Sequence, residues 1–115
     1  MTGKHPLSTV VDALIKATNA FDIDAALALF TPDAVIDDAS VGDSFVGQAG
    51  IRDYLQRFFV GYRTTTRLLS ITDLEDRDHV RVRVDFTGDF GHEVGLLKMA
   101  FNAGGLIAHV DADLE

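Results

Sequence analysis

Apolar and polar positions divide this chain into two regimes that meet near Gly61, helical spacing before it and alternation after it. Behind Pro6, a residue suited to the first turn of a helix, Leu7, Val10, Val11, Leu14 and Ala17 make one apolar stripe, so the spacing predicts a first amphipathic helix. Asp22 is a candidate N-cap for a second, shorter helix carrying Ile23, Ala26, Leu27 and Phe30. Thr31-Pro32 is expected to stop it, because proline donates no N–H and disfavours helix just before it. Ala34-Val35-Ile36 reads as a short strand running into Asp37-Asp38, with a turn at Gly42 and Asp43. After Gly47, the residues Ile51, Tyr54, Leu55, Phe58 and Phe59 form a wide, aromatic-rich face, and Gly61 is placed to end that third helix.

From Tyr62 onward the period becomes two. Thr64 to Thr72 is rich in β-branched residues, and Val80, Val82, Val84 and Phe86 alternate with Arg81, Arg83 and Asp85. Val94 to Asn102 is a mostly apolar strand. The last strand alternates most cleanly, with Leu106, Ala108, Val110, Ala112 and Leu114 on one face and Ile107, His109, Asp111, Asp113 and Glu115 on the other. Turn chemistry at Glu75 to Asp78, Gly88 to Gly91 and Ala103 to Gly105 joins these strands as hairpins. Three helices followed by a four-stranded meander define an α+β fold, with the helices on one face of a curved antiparallel sheet.

Length changes this picture little: 115 residues fit a single domain over 1–115. Charge narrows the partners. A formal balance of −8, with scattered basic residues, argues against nucleic acid and against an anionic membrane surface. The absence of cysteine removes disulfides, thiolate nucleophiles and cysteine-ligated zinc. No apolar run follows the basic start and none is long enough to span a bilayer, so a cytoplasmic protein is expected.

Candidate chemistry enters with the order of residues between Asn19 and Tyr54. The stretch reads Asn19-Ala20, Asp22-Ile23-Asp24, Ala28-Leu29-Phe30, Asp33-Ala34, Asp37-Asp38, Gly47 and Ile51-Arg52-Asp53-Tyr54. It resembles the ketosteroid isomerase branch of the NTF2-like superfamily, which includes the SnoaL-like polyketide cyclases. The resemblance continues more loosely through the meander to the Leu106 to Leu114 strand. It implies a cone with the sheet wrapped around the first helix, a pocket between sheet and helices, and homodimers packed through the outer sheet face. Function still has to be read from the site, because this fold hosts many activities.

In the isomerases an aspartate after the first strand moves a proton next to a carbonyl, and the matching position is Asp38. Such a base needs shelter from water to act near neutral pH. The tyrosine and aspartic acid that hold the substrate's developing negative charge correspond to Leu14 and Leu97, neither of which can donate a hydrogen bond. By the same carry-over the substrate pocket is lined by Leu14, Tyr54, Val84, Phe86, Leu97, Met99, Val110 and Ala112, with Tyr54 the strong polar candidate among them. No cofactor is implied, because proton transfer needs none.

Other polar groups point to less. His5, His79, His92 and His109 form no helical zinc pair, and His79 and His92 fall at predicted turns. His109 and Asp111 share a strand face, which permits a metal but more commonly marks a solvated or dimer-facing pair; no metal is expected. Ser40 and Ser44 carry no nucleophile signature, and no glycine-rich phosphate cradle is visible. Arg83-Val84-Asp85 resembles the strand motif of limonene-epoxide hydrolases, but their second aspartate aligns with Ala112. Two main readings remain: an isomerase- or cyclase-like enzyme acting on a small apolar carbonyl compound through Asp38, and a non-catalytic module for hydrophobic-ligand binding or dimerisation. Epoxide hydrolysis is a third.

Overall fold

The computed structural model describes residues 6–74 and 78–115. The first helix, α1 (Pro6–Asn19), buries Val11 and Ala17 from its apolar stripe. Asn19 then ties its end to the sheet: its side-chain amide donates to the Thr66 carbonyl at 2.9 Å and accepts from the Thr66 N–H at 2.6 Å. Asp22 caps α2 (Ile23–Leu27) as expected, accepting from the Ala25 N–H at 3.1 Å.

The helix stops at Leu27, earlier than the Thr31-Pro32 signal, and Phe30 opens a strand instead of closing the helix. Strand β1 (Phe30–Asp38) is thus longer than the Ala34–Ile36 core suggests. Its pairing is irregular between Phe30 and Val35, the interval holding Pro32, which has no N–H for the ladder. A turn with Gly42 at φ +69° leads to β2 (Asp43–Val46), a short edge strand that the sequence pattern did not separate from the turn.

The third helix, α3 (Gly47–Leu55), runs into a π-helical turn at Gln56–Val60. Hydrogen bonds from Gly61 N–H to Gln56 O and from Thr64 N–H to Phe59 O, both 2.8 Å, span five residues rather than four. The chain leaves the helix through Arg63 at φ +52°, while Gly61 keeps a right-handed φ of −59°. Gly61 is therefore not the left-handed cap its position suggested.

Strands β3 (Thr65–Asp73), β4 (His79–Gly88), β5 (Gly91–Phe101) and β6 (Ile107–Leu114) form the expected meander. Of the three hairpin turns, residues 75–77 of the first lie outside the described residues. His79 and His92 lie within strands rather than in turns. The whole sheet has six strands in the order β2-β1-β6-β5-β4-β3. It is mixed rather than purely antiparallel, because β1 runs parallel to β6.

Val80, Val82 and Val84 are fully buried beneath the helices, as their alternation requires. Ile107 departs from its predicted polar face and is 0% exposed. The cause is a bulge: Ala100 pairs with His109 and Phe101 with Ile107, which leaves Ala108 unpaired and reverses the alternation below it. Among the described residues no helix is long and apolar enough to cross a membrane.

Candidate functional site

Asp37 and Asp38 end β1 on opposite faces of the sheet, and Asp38 turns inward, 7% exposed. One carboxylate oxygen caps the following turn, accepting from the Ser40 N–H at 2.9 Å and the Ser40 hydroxyl at 2.5 Å. The other oxygen faces the interior and accepts the Tyr54 hydroxyl at 2.6 Å. Turn-capping aspartate and inward-facing aspartate are thus one residue. Burial, with the bond to Asp38 second, raises the Tyr54 pKa far above its ordinary value, so the phenol stays a donor.

Two cavities meet at this pair. The inner one, about 60 Å³, lies between α1, α3 and the sheet. Its walls include every pocket position carried over from the resemblance: Leu14, Tyr54, Val84, Phe86, Leu97, Met99, Val110 and Ala112. That volume is far below the roughly 300–1,000 Å³ of small-molecule sites. The second is a mouth cleft of about 330 Å³ that reaches Asp38 itself and shares Tyr54, Phe59 and Phe86 with the inner cavity. Of these two, the mouth cleft has the room for a ligand.

Several mouth residues were not singled out from the sequence as pocket lining: Phe58, Phe59, Tyr62, Phe90 and Glu93. The π-helical turn explains the first two. Widening the turn brings the fifth residue after Tyr54 round beside the fourth, so the Phe58 and Phe59 ring centroids lie 5.2 and 6.2 Å from that of Tyr54. Phe59 also meets Phe86 edge-on at 6.0 Å. Regular helical spacing gave no sign of the π-helical turn, and Phe90 reads only as a residue of the hairpin turn.

The outer face carries the remaining polar candidates. His109 Nε2 lies 2.7 Å from Asp37 Oδ2, and Asp111 stands 3.7 Å from the opposite ring nitrogen. Asp37 also accepts the Ser44 hydroxyl; that bond first, and His109 second, hold its carboxyl below the usual carboxylate range. The potential ligand atoms of Asp37, His109 and Asp111 lie within 4.8 Å of one another. Through its contact with Asp37 the His109 ring links β6 to β1, with Asp111 beside its other nitrogen. An outer groove of about 510 Å³ beside it is bordered by Asp38, Asp43, Arg81, Leu96, Lys98 and Asp113.

Arg83 and Asp85 also point outward, on either side of the buried Val84. Arg83 binds Glu115 through two bonds of 2.8 and 2.5 Å, and Asp85 pairs with Arg67 at 2.9 Å. Neither residue lines a cavity at the Asp38 site, and Ala112 supplies no second carboxylate there. The arrangement expected of an epoxide hydrolase is not assembled.

The profile of the SnoaL-like domain matches residues 11–110. The chain belongs to the SnoaL-like domain family. A search of curated proteins returns no match to this SnoaL-like chain. Among solved structures it is similar to the RV0760c protein of Mycobacterium tuberculosis in complex with estradiol-17β-hemisuccinate. That pair shares 17% identity over 95% of this chain and 93% of the other, with a TM-score of 0.83. It is similar to a candidate ketosteroid isomerase from Kribbella flavida, at 16% identity over 100% and 82% of the two chains and a TM-score of 0.83. SalBIII, an epoxide hydrolase/cyclase-like enzyme in pyran ring formation of the polyether salinomycin, aligns at 20% identity over 100% and 95%, with a TM-score of 0.85. Further similar structures, described as having a cystatin-like fold and as NTF-2 like, place the SnoaL-like domain in that fold.

Proposed function

We propose that this SnoaL-like protein binds a small apolar carbonyl compound in the mouth cleft and moves a proton on it with Asp38 as general base. The observation that carries the reading is the Asp38–Tyr54 pair: a carboxylate and a phenol 2.6 Å apart, both buried, where the two cavities meet. The carboxylate would take a proton from the carbon beside the carbonyl, leaving an enolate whose charge falls on oxygen. Tyr54 would swing its hydroxyl from Asp38 to that oxygen, supplying the donor that Leu14 and Leu97 cannot. Asp38 would then return the proton to carbon. The chemistry is complete without a cofactor, and the outer sheet face would join two copies as a homodimer.

Solvent deuterium exchange into a panel of enolisable ketones tests this. Wild type should catalyse exchange into at least one, and folded Asp38→Asn, checked by near-ultraviolet circular dichroism, should lose it. Exchange that survives the substitution removes Asp38 from the mechanism.

A second reading, binding without catalysis, is favoured by one observation. Both positions matched to oxyanion donors, Leu14 and Leu97, are apolar and line the inner cavity. Binding of a ketone with no exchange into any of the panel would select it.

A further inference from the structure

The mouth cleft is one-sided in charge. Asp38 and Glu93 line it, and no lysine, arginine or histidine among the described residues does. Asp38 is engaged by Ser40 and Tyr54. Glu93 is different: its side chain makes no hydrogen bond or ion pair among the described residues. Exposed apolar side chains gather at the same place. Val41, Tyr62, Phe90 and Leu114 are between 37 and 45% exposed, and all four line this cleft. A gathered apolar rim of this kind marks a binding site rather than ordinary surface.

Aromatic faces carry negative potential and attract cations, most strongly where water is displaced. Phe58 already does so with the Arg57 guanidinium, which stands 5.2 Å from its ring centroid. Ring faces combined with an unpaired carboxylate favour a positive guest and repel an anion.

We infer that the carbonyl compound occupying the mouth cleft is a hydrophobic monocation, an aromatic or alicyclic body that also bears one protonated amine. Its ring packs on Phe58, Phe59 and Phe86, and its ammonium sits at Glu93. This rests on the cleft being the ligand site proposed above, and it names the charge class of that ligand. An ammonium at the exposed Glu93 leaves the buried Asp38 to face the ligand's body.

Three ligands of one shape and different charge test it: naphthylmethylamine, naphthylmethanol and naphthoate, titrated calorimetrically at neutral pH and low ionic strength. The amine should bind about fivefold tighter than the alcohol, with the acid weakest. Glu93→Gln should bring amine and alcohol together, whereas Asp12→Asn, an exposed carboxylate on α1, should leave their ratio unchanged. If the alcohol matches the amine in wild type, or Asp12→Asn lowers the ratio as much as Glu93→Gln, the charge inference is overturned and the site stands. If none of the three binds, both the inference and the proposed site fall.

Discussion

Tyr54 joins stability to chemistry, because its hydroxyl is donated to a buried carboxylate and its ring is part of the core. Its pKa is raised in the folded state, so the stability it adds is fully present below the unfolded tyrosine value near 10 and fades as pH climbs past it. Absorbance titration of the two tyrosines should therefore show Tyr54 ionising late, together with alkaline unfolding. Tyr54→Phe should remove that late phase and flatten the loss of stability above the unfolded value. Near neutral pH the same substitution should cost about 1–3 kcal/mol in urea unfolding, because a buried carboxylate loses a donor. A variant as stable as wild type would show that the 2.6 Å bond contributes nothing net. Asp38 was legible at this scale only through the residue order around it. Spacing alone leaves an aspartate before a turn ambiguous, and the structure resolves the ambiguity by giving its two oxygens different duties. The partnership with Tyr54 was not legible, because sixteen residues separate the two and helical periodicity accounts for Tyr54 as core without a polar role.

Elements were readable where one period ran unbroken. α1, α3 and β4 follow their apolar patterns closely, and Asp22 caps α2 as its side chain allows. Departures fall where the backbone changes count. The bulge at Ala108 shifts Ile107 into the core, and the π-helical turn draws the Phe59 ring, already expected on the apolar face, to 6.2 Å from that of Tyr54. Neither leaves a mark in composition, since each inserts one residue's worth of geometry without altering which residues are apolar. The two views of Ile107 can be separated by experiment. Ile107→Ala should destabilise the protein by roughly 2–5 kcal/mol, as for a fully enclosed side chain. A shift in urea midpoint no larger than that of a surface substitution would return the residue to the solvent face.

At the scale of the molecule, acidity sets the response to salt. Eighteen carboxylate side chains against ten basic ones leave −8 to repel itself. Surface pairs such as Arg57–Asp53 and Arg63–Asp89 are exposed and add little. Raising ionic strength should therefore raise the melting temperature, as screening relieves repulsion more than it weakens these pairs; a fall would show the pairs to dominate. The parallel join of β1 to β6 has a different consequence, one of timing. The strand translated last of the six lies in the interior of the sheet, between one made early and one made just before it. On the ribosome, the segment bearing Asp38 and the segment bearing Val84 must wait as two unjoined halves, apolar surfaces uncovered, until that final stretch emerges and closes the sheet.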